Sequence, residues 1–302
     1  MTTYNFKRET KVYVVRGGNR YTLDVYPDLN YSQTFNETSV PVKTLHSQYN
    51  MFENAVINRA NPANFNFTVP ILYEGDLNIL FNLLLDYDTS STEATLKTAD
   101  LYFETNSEVY KIEKCVMESG VFRLLNTEVM TLSLSGTGRK LSKHAGLIPG
   151  SPVARSATRS FGRVTKAQIA INGYEEKYIA GFSVEVQNNV NWLDFATIHN
   201  SQSVTSASST MWPEAFVVGS RALTGNIQQY VTDETNSRVN TWQTNCTIEI
   251  RVGEVEKNYL LGIIIPSAVF TNRLGVEDLY VQSYDFRMTS NPSQLSTVVI
   301  KE

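Results

Sequence analysis

Residues 182–192 read FSVEVQNNVNW. Phe182, Val184, Val186, Val190 and Trp192 fall on one side of an extended chain, and Ser183, Glu185, Gln187, Asn189 and Asn191 on the other. Side chains alternate across a strand, so this segment is a β-strand with one apolar and one wet face. The stretch DLNYSQTFN at 28–36 does the same, setting Leu29, Tyr31 and Phe35 against Asn30, Ser32, Thr34 and Asn36. Two such strands about half a chain apart make the fold mainly β and raise the question of a repeat.

The flanking segments follow one order in both halves. Ahead of 28–36, KVYVV (11–15) and RYTLDV (20–25) form a hairpin around Arg-Gly-Gly-Asn; ahead of 182–192 stand GRVTKAQIAI (162–171) and EKYIAGF (176–182). Long segments follow, 37–63 and 193–214, and each contains nearly the same phrase, TLHSQ at 44–48 and TIHNSQ at 197–202. Next come the strands NFNFTV (64–69) and AFVV (215–218). A helix is expected from about Asp76 to Tyr87, with Leu77, Leu80, Phe81 and Leu84 at helical spacing. A second is expected from near Ser220, with Leu223, Ile227, Tyr230 and Val231 on its apolar side. Each half closes on three strands, ending in VFRLLNTEVMTLSLS and LYVQSYDFRM. Asn78-Ile79 against Asn226-Ile227, and Val121-Phe122 against Val269-Phe270, mark a common register.

Between the halves, GTGRKLSKHAGLIPGSPVARSATRS (136–160) is rich in Gly, Ser, Pro and basic residues and reads as a linker. The expected organisation is a first β module over 1–135, a linker over 136–160 and a second β module over 161–302. Each module is a β-sandwich or barrel with one flanking helix and a long extended loop.

Bulk composition narrows the function. Of 302 residues, 42% are hydrophobic and 19% charged, and the net charge is −4. Residues 1–150 carry 14 Lys/Arg against 16 Asp/Glu, and residues 151–302 carry 12 against 14, so neither half has a basic field for nucleic acid or anionic membrane. The opening MTTYNFKRETKVYVV has no apolar signal core, and the longest apolar run, YLLGIII at 259–265, is far too short to span a bilayer. We therefore expect no membrane insertion. Cys115 and Cys246 are isolated, read as buried thiols, and fit maturation in a reducing cytosol. The sequons at 36–38 and 66–68 carry no weight without a secretory signal.

Catalytic chemistry finds little footing. His46 and His199 lie in the repeated phrase with no strong metal ligand beside them except Asp194 near the second, and His144 has no acidic neighbour to orient it. There is no Gly-x-Ser-x-Gly elbow, and GTGRK at 136–140 lacks phosphate-loop spacing. We expect no catalytic residue, no metal and no cofactor.

The polar faces are more informative. Asn30, Ser32, Thr34, Asn36, Ser183, Glu185, Gln187, Asn189 and Asn191 include no Lys or Arg. A solvated sheet surface normally mixes both signs of charge. A wall of amides, hydroxyls and one acid offers phosphates no cationic partner, so a nucleic acid passing over it can slide. The long segments are suited to act as arms. Sheet edges left open by such modules could be closed by joining copies into a ring.

This organisation resembles that of bacteriophage tail tube proteins, which share a fold with the tube protein of type VI secretion. The resemblance covers nearly the whole chain, module by module; the stretch ETSVPVKTLHSQYNMFENAVINRANPANFNFTVPIL (37–72) resembles the long stacking loop of that family. It implies a structural virion protein of the tail, made in the host cytoplasm and assembled into stacked rings through which DNA passes without specific binding. The nine polar residues above would face the lumen. Thr44, His46, Gln48 and Phe52, with Thr197, His199 and Gln202, would contact neighbouring subunits or the next ring. The expected partners are other copies of the chain, with sheath, tape-measure and baseplate proteins around them. The family's simplest members have one module and form hexamers. With two modules, three chains could make a pseudo-hexamer, or six could use one module each. A ring that begins or ends the tube at the baseplate or neck, and a tandem β-sandwich that binds carbohydrate, stand as alternatives.

Overall fold

The structure, a computed structural model of the chain, describes residues 5–38, 41–44, 47–51, 56–72, 77–88, 95–125, 129–155, 167–193, 211–235, 242–255, 258–276, 278–289 and 299–301. It is mainly β. After a short 3₁₀ turn at Lys7–Glu9 come β1 (Lys11–Arg16), β2 (Asn19–Leu23), β3 (Asn30–Ser32), β4 (Phe35–Thr38), β5 (Pro41–Thr44), β6 (Ser47–Met51), β7 (Val56–Ala60) and β8 (Ala63–Pro70). The helix α1 (Asn78–Leu85) follows, then β9 (Tyr87–Asp88), β10 (Thr95–Leu96), β11 (Ala99–Glu104), β12 (Val109–Leu125), β13 (Thr131–Gly138), β14 (Lys140–His144) and β15 (Ser151–Pro152). The second half contains β16 (Ala167–Ile171), β17 (Tyr174–Glu176), β18 (Ile179–Trp192) and β19 (Phe216–Tyr230). It ends with β20 (Trp242–Val255), β21 (Asn258–Val276), β22 (Tyr280–Met288) and β23 (Val299–Lys301).

Both halves have the same pairing scheme. In the first, β2 pairs β1, β1 pairs β11, β11 pairs β12, β12 pairs β14 and β13, β13 pairs β8, and β8 pairs β3. In the second, β17 pairs β16, β16 pairs β20, β20 pairs β21, β21 pairs β23 and β22, β22 pairs β19, and β19 pairs β18. Every one of these pairs is antiparallel, and the strands correspond one to one in chain order. The opening hairpins match down to the turn. Gly17 and Gly18 (φ 57° and 78°) and Asn172 and Gly173 (φ 54° and 80°) occupy the left-handed region, where Gly and Asn are tolerated and the reversed turn follows the strand twist.

The halves meet in one sheet. The C-terminal part of β12 pairs β13 on one side and β18 on the other, with Ser119 opposite Gln187, Val121 opposite Glu185 and Arg123 opposite Ser183. Strands therefore run β3–β8–β13–β12–β18–β19–β22–β21 without a break. Beneath lies a core shared by both halves, including Phe65, Phe67, Phe103, Phe122, Phe182, Phe270 and Tyr284. Each such side chain contributes about 1.5–3 kcal/mol by leaving water.

Helix α1 lies over the seam, against β12 and β18. It buries Leu80, Phe81, Leu83, Leu84 and Leu85, and Leu84 sits over Gly120, where a Cβ would strike it. A helix C-terminus leaves carbonyls without partners. Here the second half supplies them: Arg221 donates to the carbonyls of Leu84 (3.1 Å) and Leu85 (2.8 Å), and Asn188 donates to those of Leu84 (3.0 Å) and Met117 (2.9 Å). Arg221 Nε also donates to Asn188 Oδ1 at 2.7 Å.

Three expectations need correction. The second helix does not form: residues 216–230 are β19. Its inward positions include Arg221, Leu223, Ile227 and Gln229, so two polar residues on the buried face hid the two-residue period and left Leu223 and Ile227 at a helix-like spacing of four. Gln229 is accommodated inside because its Nε2 donates to the Lys177 carbonyl (2.8 Å) and its Oε1 accepts from the Tyr284 hydroxyl (2.9 Å). The Asn78–Asn226 register mark fails with it, since Asn78 begins a helix and Asn226 lies in a strand.

Half of the described part of the proposed linker, residues 136–155, is strand. Residues 136–138 belong to β13, 140–144 form β14 on β12, and 151–152 run parallel to β2. Gly136 and Gly138 serve close packing rather than flexibility, because a Cβ would meet the Val116 carbonyl at the first and Ile112 at the second. Residues 156–166 lie outside the described residues.

The first long segment, expected as a long extended loop, carries two antiparallel strand pairs, β4 with β7 and β5 with β6.

Candidate functional site: a continuous polar sheet face

Alternation on each strand of the joined sheet gives it one buried and one open face. On β8, Phe65, Phe67 and Val69 point inward, while Asn64 and Asn66 are exposed. On β13, Leu132 and Leu134 are buried and Ser133 is exposed. On β12, Phe122 and Leu124 point in and Arg123 points out. Directly opposed residues share a face, so rows can be followed across strands. One row runs Thr68, Ser133, Val121, Glu185, Thr224, Arg287 and Val269. The next runs Asn30, Asn66, Ser135, Ser119, Gln187 and Ala222.

Five of the nine expected wall residues lie on this face together: Asn30, Ser32, Ser183, Glu185 and Gln187. Asn189 and Asn191 are exposed further along β18, beyond a register shift between Asn188 and Val190 that re-phases the strand. Thr34 and Asn36 leave the sheet at the root of the arm, where Asn61 Nδ2 donates to Thr34 Oγ1 (2.8 Å) and Asn36 Oδ1 (3.1 Å). Thr44 stands opposite Ser47 in the β5–β6 ribbon, and Gln48 lies in the same ribbon. His46, Phe52, Thr197, His199 and Gln202 lie outside the described residues.

The face is polar but carries cations on strands that sequence reading did not assign to it. Arg123 opposes Ser183, Arg287 opposes Thr224, and Arg273 pairs with Asp285. Lys is absent from the rows above, and the polar groups largely satisfy one another. Thr68 Oγ1 lies 2.9 Å from Ser133 Oγ, Gln187 donates to Glu185 (2.7 Å), and Asn226 donates to Ser283 (2.7 Å) and Asp285 (2.6 Å).

Two grooves open on this side near β3. One, of about 210 Å³, is lined by Asn30, Ser32, Asn64, Asn66, Ser135 and Glu118. The other, of about 470 Å³, brings Thr34, Asn61, Asn191 and Trp192 to the same Glu118. Burial pushes the Glu118 carboxyl above its ordinary pKa, and the Thr137 hydroxyl, donating at 2.5 Å, opposes that shift. Trp192 Nε1 donates to Thr137 Oγ1 at 2.9 Å and fixes the hydroxyl's orientation. Sequence alternation does not reveal Glu118, since a register shift between Met117 and Ser119 breaks the pattern that would have marked it. Asn64 and Asn66 are legible in NFNFTV, but alternation alone does not connect them to the wall.

Among the described residues no group of three or more His, Cys, Asp and Glu could hold a metal ion. His144 spends Nε2 on the Leu147 carbonyl (3.1 Å) and packs edge-on against Tyr102. Cys115 and Cys246 are buried thiols, and burial pushes the Cys115 thiol pKa well up. No helix among the described residues is long and apolar enough to cross a membrane.

The model of the Bacteriophage Baseplate Tube Protein Family matches residues 2–301, and no curated protein matches the chain. With nearly every residue inside that match, the chain belongs to the bacteriophage baseplate tube protein family and is a structural component of the phage baseplate or tail, resident in the virion.

Proposed function

We propose that copies of this chain close into a ring whose bore is lined by the polar sheet face, and that the ring forms part of the tube through which DNA leaves the virion. The observation carrying this reading is the four-strand order β3–β8–β13–β12 repeated as β18–β19–β22–β21 and already joined side by side by the β12–β18 pairing. Two like modules in register supply one third of a six-module ring, so three chains complete it as a pseudo-hexamer. On this reading the halves arose by duplication of one module. The family's description favours the baseplate end of the tube, as a ring that begins it. The role is structural rather than catalytic, with no cofactor. The ribbon β4–β7 and its continuation β5–β6 project from the wall as the arm that reaches a neighbouring subunit, the next ring, or sheath, tape-measure and baseplate proteins.

Negative-stain electron microscopy of the purified chain at high concentration tests this. Rings or short tubes with threefold symmetry and six similar lobes are the expected result; particles that stay monomeric at every concentration would overturn it.

A second reading has its own support. Tyr174 and Trp242 are each 72% exposed and Tyr280 is 54% exposed, the kind of aromatic surface on which sugars stack. A monomer that binds glycans on an array and loses that binding on Trp242→Ala would favour a carbohydrate module instead.

A further inference from the structure

The two halves differ at one matched edge. In the first half, the side of β12 facing away from β13 receives β18 at Ser119–Leu125. In the second half, the corresponding side of β21, facing away from β22, is occupied by the beginning of β20: Trp242 opposes Thr271, Gln243 opposes Phe270 and Cys246 opposes Ala268. Further along, among the described residues no strand pairs with Asn272–Val276 on that side. An edge used for a seam in one copy of the module is thus covered by a few residues of the chain itself in the other.

The covering segment is weakly held. Its pairing is interrupted on both sides of Cys246, and Asn245 adopts a left-handed φ of 57°. Trp242, Gln243, Thr244 and Asn245 are all exposed, and Trp242 opposes an exposed Thr271. A large indole left in water on a sheet edge gains little where it is and has much to gain from a partner. Among the described residues the first half has no such cover. There the residues before β11 form β10, which pairs β9 rather than β12.

We propose that Trp242–Asn245 is a displaceable strap over the β21 edge, and that a second copy of the chain replaces it. The incoming copy brings the stretch around its β3 alongside β21, as β18 lies alongside β12 within one chain. This rests on the ring reading above and names its intermolecular seam. The register follows from the repeat. Phe122 opposes Leu132 as Phe270 opposes Phe286, so Ser267 takes the place of Ser119. Val69 opposes Leu132 as Gly225 opposes Phe286, so Asn66 corresponds to Ala222, and Asn30, opposite Asn66, takes the place of Gln187. Ser119 opposes Gln187 inside the chain, and Val121 opposes Glu185 two residues on. Under the strap itself, Val269 of one copy should therefore oppose Asp28 of the next. Within a chain these residues lie near opposite ends of the joined sheet and cannot meet.

Two measurements test the proposal, with wild-type rings in the electron microscope as the reference. Trp242→Cys with Thr271→Cys places thiols on opposed residues and locks the strap when oxidised. Rings should be lost under oxidation and return on reduction, and the reduced sample reports folding. Mixing the single variants Val269→Cys and Asp28→Cys should give a disulfide-linked dimer on assembly that neither gives alone. If wild-type protein forms rings while the locked variant also forms them, the strap is wrong. Rings without the mixed disulfide would make the register wrong. Absence of wild-type rings would strike the ring reading itself.

Discussion

Arg221 lies in the second half of the chain, yet its guanidinium is 2.8 Å from the carbonyl of Leu85, the last residue of the first half's helix. A buried cation caps a helix end across the seam, and the helix dipole adds to the attraction. Arg221→Ala would leave buried carbonyls and the Asn188 amide short of partners. We expect a loss of about 3 kcal/mol in urea unfolding, the scale of a charged buried hydrogen-bond set. Arg221→Lys should recover only part of it, because one ammonium cannot span Asn188 and both carbonyls. Retention of full stability by the Ala variant would show that the clamp is incidental.

Gly225 lies under the Phe286 ring and close to the Ser183 carbonyl, leaving no space for a methyl group. Gly225→Ala should destabilise by about 1–3 kcal/mol through overpacking, read as a lower denaturation midpoint with unchanged slope. At Gly262 nothing lies within 4 Å of where a methyl group would sit, so Gly262→Ala should be tolerated and serves as the control.

Glu118 gives a pH signature whose sign follows from linkage. Burial raises its folded-state pKa, so between the unfolded and folded values the native chain holds more protons than the unfolded one. That contribution is present below the unfolded pKa and is lost as pH rises through the folded pKa. Glu118→Gln keeps an acceptor for the Thr137 hydroxyl. It should match wild type at low pH and exceed it at neutral pH, as measured by thermal melts across that range. A variant no more stable at neutral pH would place Glu118 in open water.

Glu185 accepts from Gln187 and faces Val121 across the seam and Thr224 on its other side, with Arg123 and Arg287 nearby on the same face. Glu185→Lys should fold and assemble, with a stability change of about 1 kcal/mol or less for a half-buried charge on the open face. If the face lines a bore as proposed, the variant should also slow DNA ejection from virions, since an added cation would give phosphates a place to pause. Misfolding of the variant would show that Glu185 does not stand on an open wall.

The mainly β architecture was legible wherever one face was wholly apolar, as at Phe65, Phe67 and Val69. The order of strands was legible in part, as at KVYVV and at residues 167–171, but the expected second helix proved to be β19. Reading failed where buried positions hold polar residues. Arg221 and Gln229 turn inward because carbonyls and a tyrosine hydroxyl await them, and those partners lie 136 and 55 residues away in sequence. Gly136 and Gly138 misled for the opposite reason: their small size serves contact with β12, which composition records only as a run of small residues. The polar face was half visible. Alternation exposed Asn30, Ser183 and Glu185, while Arg123 and Arg287 joined the face only once strand order was known.

The pairing of β12 with β18 also bears on how fast and from how dilute a pool a closed particle could arise. That contact forms while a single polypeptide folds, at a rate independent of how many molecules surround it. Closure of a six-lobed particle would then need encounters among three bodies instead of six, lowering the order of its dependence on concentration. In such a particle the same linkage would set unlike neighbours in alternation around the circle, so any partner seated on top would meet threefold, not sixfold, chemistry.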